Sequence, residues 1–276
     1  MRLQYLYCLI PNVILLIENF REMDRLVFVL GALREEINLI RRQMTVDEQF
    51  KIGRADAWSG NWEGVRIILV RTGIGKDCAL SALEKVLSRA NPSLILSIGY
   101  AGGLDPKLKV GDVILADHVL EIKTGLTTVG SYPIDLKRLK SLEGLACPKK
   151  IVVHRGMLIT VNQVVDKSSA KQELGSRYNA LAVDMETASL VAHATHNNLS
   201  FLSVRAVSDT VEQSLVDVSS FISDDGEVSK LKAGWYAMTH PHRIKSFISL
   251  RMQSQQATRN MTEFIGVFMR TYRYSA

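Results

Sequence analysis

Between residues 25 and 210, short apolar runs alternate with stretches of helical periodicity, and this alternation restricts the fold more than any other feature of the chain. The apolar runs predict strands at Arg25–Leu30, Val65–Arg71, Leu94–Ile98, Asp112–Leu120, Ile151–Thr160, Ala180–Asp184 and Phe201–Val207. The periodic stretches predict helices from Ala32 to about Met44, over Lys76–Ala90 and over Glu186–His196. Strands that are apolar throughout are buried on both faces. We therefore predict an α/β fold, a single-domain three-layer α/β/α sandwich around a mostly parallel or mixed sheet.

The composition is that of a globular protein with one sizeable core. The 276 residues are 47% hydrophobic and 22% charged. The three cysteines, Cys8, Cys78 and Cys147, are widely spaced and form no CxxC pair. This pattern argues against a disulfide framework and a cysteine zinc site, and it predicts a cytoplasmic location.

The first 22 residues are kept apart from the fold prediction. Leu3–Ile17 is apolar, but it is short for a membrane span and contains Pro11. A charged stretch follows where a signal peptide would carry small residues. Met23 opens directly into the first predicted strand. We therefore interpret residues 1–22 as a doubtful extension from a mis-assigned start and place the domain at residues 23–276, with a membrane-seeking segment as the alternative.

The positive charge is concentrated towards the C-terminus. The formal charge is +6, and the segment from Lys230 onwards holds eight of the 34 basic residues but one of the 28 acidic residues. The remainder is close to neutral, which argues against a nucleic-acid-binding face. Helical spacing predicts basic C-terminal helices from about residue 228, one led by Pro241 and a final one starting near Ala257. We expect their apolar stripes to pack on the domain, with peripheral contact to a membrane as the alternative.

Missing motif residues argue against several enzyme classes. The stretch TGIGK at 72–76 follows a strand and opens a helix, as phosphate loops do. Asp77 and Val70 stand where a Walker loop needs a hydroxyl residue and a glycine, and Cys78 breaks a dinucleotide fingerprint. The chain has no GxSxG elbow and no HExxH pair.

Four polar or glycine-rich turns follow predicted strands. They lie at Gly31–Glu36, Gly99–Gly103, Val183–Glu186 and Ser208–Thr210. Ligands of α/β sheets bind beyond the carboxyl ends of the strands, and glycine turns allow a ligand to approach the backbone closely. These turns therefore form a candidate site. Taken singly, their acidic residues also suit a helix cap, a helix first turn or a solvated face.

Five stretches in order carry a family resemblance. They are GALREE at 31–36, TGIGK at 72–76, SIGYAGGLDPKLKVGDVILAD at 97–117, VDMETAS at 183–189 and VRAVSDT at 204–210. Over about residues 25–222 the chain resembles the superfamily of purine nucleoside phosphorylases and methylthioadenosine–S-adenosylhomocysteine nucleosidases. The resemblance implies an enzyme that cleaves the N-glycosidic bond of a purine nucleoside. The implied substrate is a 5'-substituted adenosine, and its cleavage releases adenine.

The resemblance also implies roles for individual residues. Asp209 corresponds to the acid that protonates the leaving purine at N7, and Glu36 to the acid that positions water in nucleosidases. Glu186 corresponds to the carboxylate that binds the ribose hydroxyls, with Met185 packed against the sugar. The implied substrate-binding residues are Tyr100, Ala101, Gly102, Val164, Val165, Met185, Glu186, Arg205 and Ser208. The chemistry is consistent, because a general acid neutralises the departing base while a carboxylate stabilises positive charge on the sugar.

The nucleophile is less clearly indicated. Gly31, Arg34 and Gly99 fall where phosphorylases of the superfamily bind phosphate, so we expect phosphorolysis with inorganic phosphate as co-substrate. Glu36 resembles the nucleosidase acid instead, and hydrolysis is the alternative. The C-terminal part resembles the hopanoid-associated phosphorylase branch, which implies a lipid-bearing substrate of the adenosylhopane type.

Further expectations concern cofactors and partners. The chemistry calls for no metal and no organic cofactor, and the resemblance implies a homo-oligomer. Two non-catalytic alternatives stay open. One is an inactive nucleoside-binding module, favoured by Tyr100 in place of the family's serine, and the other is a membrane-recruited scaffold.

Overall fold

The structure, a computed structural model, describes residues 25–123, 126–136, 142, 145–148, 150–214 and 244–274, the first eight residues of the last range by their backbone alone. The predicted extension at residues 1–22, and the part of the basic segment around Pro241, lie outside the described residues.

Ten strands and five helices make up the described chain. The strands are β1 (Leu26–Gly31), β2 (Thr45–Ile52), β3 (Ala55–Trp62), β4 (Val65–Arg71), β5 (Leu94–Gly103), β6 (Val113–Lys123), β7 (Thr127–Pro133), β8 (Val153–Thr160), β9 (Ala182–Asp184) and β10 (Phe201–Asp209). The helices are α1 (Arg34–Gln43), α2 (Lys76–Leu87), α3 (Ser168–Tyr178), α4 (Thr187–His196) and α5 (Ile244–Tyr274).

The strands form one mixed sheet that partly closes on itself. β1 lies parallel to β4 and β5, and β10 lies parallel to β5. The pairs β10–β6, β6–β8, β8–β9 and β9–β5 then complete a ring of five strands. β3 and β2 extend the sheet beyond β4 in antiparallel order, and β7 pairs with β6.

Four of the five helices pack in two pairs, α1 with α5 and α2 with α4. The central strands are buried on both faces, as the unbroken apolar runs predict: Val27–Leu30 and Leu94–Leu96 are buried throughout. The α/β fold with a mixed sheet is thereby confirmed.

Sequence periodicity missed β2, β3, β7 and α3. β2 (TVDEQFKI) is almost wholly exposed, and it pairs with β3 through a tight turn in which Gly53 has φ +62°. α3 (SSAKQELGSRY) buries Lys171 and Leu174, so it has no apolar stripe to detect. Edge strands and polar helices lack the burial pattern on which such predictions depend.

The prediction of two C-terminal helices is wrong, because one helix runs from Ile244 to Tyr274. No glycine or proline interrupts the chain between residues 244 and 257. The predicted packing of the apolar stripe is confirmed: Ala257, Met261, Phe264, Ile265 and Phe268 are buried in the main core. Among the helices that the structure describes, none combines the length and the apolar character needed to span a bilayer.

Candidate active site

A cavity of about 240 Å³ opens beyond the carboxyl ends of β1, β4, β5, β8, β9 and β10. Ten residues predicted for the site line it: Glu36, Tyr100, Ala101, Gly102, Val164, Val165, Met185, Glu186, Ser208 and Asp209. The other lining residues are Ala32, Leu33, Ile74, Val161, Gln163, Val183 and Asp184. The predicted residues Gly31, Arg34, Gly99 and Arg205 do not line it. The strand ends therefore bring most of the predicted site together.

Asp209 lies at the end of β10, buried against the Gly102 turn. Its Oδ1 accepts a hydrogen bond from Ser208 Oγ at 2.6 Å, and its Oδ2 is bound by the Lys171 ammonium group. A Cβ on Gly102 would lie 3.3 Å from Asp209 Oδ2, so a glycine gives the carboxylate its room. Lys171 was missed by the sequence analysis, because a lysine in a polar helix carries no signal of burial.

Glu36 belongs to the first turn of α1 and is buried. Its Oε2 accepts the Leu33 N–H at 2.8 Å, and its Oε1 accepts the Tyr100 N–H at 2.9 Å. Burial raises the pKa of Glu36, although these backbone donors and the nearby Arg205 partly oppose the shift. A Cβ on Gly99 would lie 2.9 Å from Glu36 Oε1. Gly99 thus makes space for the carboxylate, a role different from the predicted phosphate contact.

Glu186 follows β9 and is the residue immediately before α4. Its Oε1 accepts the Gly75 N–H at 2.9 Å, which joins it to the turn after β4. Gly75 has φ +93° and ψ 157°, a backbone conformation open essentially to glycine alone. Burial, together with the neighbouring Asp184 carboxylate, raises the pKa of Glu186 to about 7.

Arg205 is buried outside the cavity lining, and its guanidinium group makes four hydrogen bonds, one of them to the Val204 carbonyl at 3.2 Å. It donates to Asp184 Oδ2 at 2.9 Å, to Ser97 Oγ at 2.9 Å and to Thr187 Oγ1 at 2.6 Å. Asp184, which the sequence analysis did not select, also accepts a hydrogen bond from Thr160 Oγ1 at 2.6 Å. The structure therefore places Arg205 as a support of the β9 turn, not at the cavity surface.

The residues predicted to bind phosphate are placed elsewhere. Arg34 is exposed on α1, outside the cavity lining. Gly31 is buried where a Cβ would lie 2.5 Å from the Ile37 side chain. It therefore allows α1 to pack closely on β1.

Tyr100 joins the cavity wall to the C-terminal helix. Its phenol oxygen lies 2.5 Å from Thr258 Oγ1 on α5, while its backbone N–H binds Glu36. Burial raises the pKa of the Tyr100 phenol, so this group stays neutral. Tyr100, which stands where the resemblance implies a serine, thus forms part of the cavity wall and contacts α5.

The chemical character of the lining is acidic and apolar. Four carboxylates line the cavity, from Glu36, Asp184, Glu186 and Asp209, and among the described residues no lysine or arginine lines it. Most of the other lining residues are aliphatic or Met: Ala32, Leu33, Ile74, Ala101, Val161, Val164, Val165, Val183 and Met185. Across the part of the chain that the structure describes, no cluster of three His, Cys, Asp or Glu side chains could hold a metal ion. The cavity therefore suits a neutral ligand with apolar faces and hydroxyl groups.

Solved structures share this fold. The 5'-methylthioadenosine/S-adenosylhomocysteine nucleosidase of Neisseria meningitidis, in complex with methylthio-immucillin-A, matches 89% of this chain and 99% of its own with a TM-score of 0.66 at 22% identity. The corresponding nucleosidase of S. pneumoniae, with a transition-state inhibitor, covers 89% and 99% with a TM-score of 0.69 at 17% identity. The futalosine hydrolase of Helicobacter pylori covers 88% and 98% with a TM-score of 0.65 at 20% identity. At these identities the likeness concerns the fold.

A family model provides the stronger assignment. The model described as "Phosphorylase superfamily" matches residues 26–232, which include every strand and every cavity-lining residue that the structure describes. The match spans far more than half of the chain and agrees with the order of turns that form the cavity. The chain therefore belongs to the phosphorylase superfamily and is an enzyme that acts on nucleosides.

Proposed function

We propose that this enzyme hydrolyses the N-glycosidic bond of a 5'-substituted adenosine and releases adenine. The observation that carries the proposal is the meeting of Glu36, Glu186 and Asp209 in one cavity, whose lining contains no lysine or arginine in the part of the chain that the structure describes. Two of the structural neighbours are nucleosidases named for 5'-methylthioadenosine and S-adenosylhomocysteine, which supports this class of substrate.

In the proposed mechanism the base lies against Val164, Val165 and Asp209, and the sugar lies against Met185 and Glu186. Asp209, once protonated, gives its proton to purine N7 as the glycosidic bond breaks, so the base leaves as neutral adenine. The Glu186 carboxylate accepts hydrogen bonds from the ribose hydroxyls and stabilises the positive charge that develops on the sugar.

Glu36 handles the nucleophile in this mechanism. Its carboxylate orients a water molecule and accepts one proton from it while the water oxygen bonds to the anomeric carbon. The products are adenine and a free 5'-substituted sugar. Glu36 then returns its proton to solvent, and Asp209 takes up another, so the enzyme is restored.

Charge favours water over the phosphorolysis expected from the sequence. A phosphate dianion needs cationic and N–H donors, but Arg34 is exposed away from the cavity and Arg205 is committed to Asp184. The Glu36 and Glu186 carboxylates, when ionised, would also repel the anion. We therefore propose hydrolysis, and a water molecule is the co-substrate.

The 5'-substituent, membrane contact, oligomeric state and location of the enzyme stay predictions. The aliphatic wall of the cavity is compatible with an apolar 5'-substituent, including the lipid of an adenosylhopane-type substrate. Peripheral membrane contact, a homo-oligomer and a cytoplasmic location rest on the sequence resemblance and composition.

The nucleophile can be identified by isotope. Purified enzyme is incubated with 5'-methylthioadenosine in ¹⁸O-labelled water, with and without phosphate. The mass of the sugar product is then measured by mass spectrometry. We expect a free sugar that carries ¹⁸O and a rate that phosphate does not change. A sugar 1-phosphate would establish phosphorolysis instead, and adenine binding without cleavage of any nucleoside would establish an inactive binding module.

Matched variants locate the nucleophile site. Glu36→Gln should lower turnover at least about a hundredfold, because it removes the base that receives the water proton. Glu35→Gln, the exposed neighbour, and Arg34→Ala should leave turnover within about twofold of wild type, since neither side chain lines the cavity. A large loss in Arg34→Ala that excess phosphate relieves would favour the phosphorylase reading.

A further inference from the structure

The most unusual buried group outside the cavity lining is the ammonium group of Lys171. Lys171 lies on α3 and is wholly shielded from solvent. Its Nζ donates to three acceptors, which are Asp209 Oδ2, the Thr210 carbonyl at 3.1 Å and the Gln213 carbonyl at 2.8 Å. An ammonium group has three donors, so every one of them is used.

This lysine stands at a position where packing alone would favour an apolar residue. α3 buries only Lys171 and Leu174. Taking an ammonium group out of water costs several kcal/mol unless it is well paired. The pairing here is with the carboxylate that the proposed mechanism uses as its acid, and this choice of partner is what calls for a functional explanation.

The contacts of Asp209 divide its two carboxylate oxygens between different partners. Lys171 holds Oδ2, while the Ser208 hydroxyl donates to Oδ1 at 2.6 Å. Ser208 and Asp209 line the cavity, whereas Lys171 does not. Lys171 therefore reaches the substrate only through Asp209.

The contacts of Lys171 with the two carbonyl groups also hold the backbone that follows Asp209. Thr210 directly follows Asp209, and Gln213 lies in the same turn, where its side chain accepts the Thr210 N–H at 3.1 Å. One buried cation thus fixes the carboxylate and the turn that carries it. Through α3 it connects both to the rest of the fold.

We propose that Lys171 is a positioning residue for Asp209 in the reaction. Its ammonium group holds the carboxylate in the orientation from which it serves the leaving base. The proposal rests on the proposed function, because it assumes that Asp209 assists departure of a purine.

The first experiment compares Lys171→Met with Lys167→Met. Lys167 is exposed and precedes α3, so its variant controls for losing a lysine from this segment. We expect Lys171→Met to lower kcat for 5'-methylthioadenosine by about tenfold or more, with KM changed by less than about threefold, because the acid contributes to bond breaking. Lys167→Met should match wild type. A folded Lys171→Met enzyme with wild-type kcat would overturn the proposal.

Two further measurements separate positioning from a structural role. If Lys171 acts through Asp209, the double variant Lys171→Met, Asp209→Asn should be no slower than Asp209→Asn alone. A riboside with a nitrophenolate leaving group, which departs without protonation, should be cleaved by Lys171→Met at the wild-type rate. Lys171 would be only a structural contact if the fold losses in kcat of the two single variants multiplied in the double variant. The same conclusion would follow if Lys171→Met lost as much kcat on the nitrophenyl riboside as on 5'-methylthioadenosine.

A second Lys171 variant controls for a loss of folding, and the activity of the wild-type enzyme tests the proposed function separately. Lys171→Gln keeps donors for the Thr210 and Gln213 carbonyls but removes the charge, and it serves if Lys171→Met does not fold at the assay temperature. It should show the same loss of kcat, and a wild-type kcat in this variant would overturn the proposal. A wild-type enzyme that cleaves no nucleoside would contradict the proposed function itself, which is a different outcome from an active wild type with unaffected Lys171 variants.

Discussion

At the scale of single residues, the site uses one chemical group in three environments. Glu36 is held by two backbone N–H groups, Glu186 by one N–H beside the Asp184 carboxylate, and Asp209 by a buried lysine. Burial raises the pKa of both glutamates, whereas Asp209 is set apart by its contact with a buried ammonium group. The three proposed roles, for water, sugar and base, follow from this division.

Asp209→Asn tests the role of the general acid. The amide cannot protonate N7, so we expect kcat for adenine release to fall by about 10²–10⁴-fold. Asp105→Asn is the control, because Asp105 lies in the turn after β5 and binds the Lys107 N–H outside the cavity. The variant leaves Lys171 without its partner charge, so its melting curve must show folded protein at the assay temperature. Turnover within tenfold of wild type would remove Asp209 from the mechanism.

The pH dependence follows from Glu186. Its pKa is raised from 4.5 to about 7, and the ionised form is the one that accepts hydrogen bonds from ribose hydroxyls. We expect kcat/KM to rise with pH through about 7 as the proton leaves, and Glu186→Gln to lack this rise. The stability of the fold changes with pH in the opposite direction to kcat/KM. The contribution of Glu186 to the free energy of unfolding is full below pH 4.5 and is lost as the pH rises towards 7. A pH–rate profile in which Glu186→Gln keeps the same limb would contradict this assignment.

At the scale of elements, the C-terminal helix is part of the core. α5 packs against α1 and β10, and through Thr258 it contacts Tyr100 in the cavity wall. The basic segment is therefore only partly a surface feature. Its apolar stripe from Ala257 to Phe268 is already occupied by the domain.

The contribution of α5 to stability can be measured with one substitution and one control. Phe268 is buried in the core, so Phe268→Ala should lower the free energy of unfolding by about 3–5 kcal/mol. Met252, on the same helix, has an exposed fraction of 66%, and Met252→Ala should change it by less than about 0.5 kcal/mol. Denaturant unfolding measures both, and similar small effects would mean that α5 is not packed on the domain in solution.

What the sequence could predict differs between elements for physical reasons. β1, β4 and β5 were found because buried parallel strands are apolar throughout, and most of the cavity followed because their carboxyl ends meet at one edge. β2 and α3 were missed because their surfaces are polar. The Lys171–Asp209 pair joins positions 38 residues apart in the chain, and no local pattern indicates which distant lysine turns inward.

At the scale of the whole molecule, the ring of five strands explains why one cavity collects so many functional groups. β5, β8, β9 and β10 belong to this ring, β1 pairs with β5 of the ring, and β4 pairs with β1. Their carboxyl ends surround a single space of about 240 Å³. Helices and turns from distant parts of the chain then supply Glu36, Glu186 and Asp209 to it. The family assignment and the cavity chemistry thus have the same structural origin.

The proposed hydrolysis of a purine nucleoside in this cavity can be tested directly. The most direct measurement is adenine release from 5'-methylthioadenosine in phosphate-free buffer, followed by the same measurement after phosphate is added. We predict that adenine and a free sugar appear at equal rates in both. Adenine release that occurs only with phosphate would contradict hydrolysis, and no release from this or any other purine nucleoside would contradict the account as a whole.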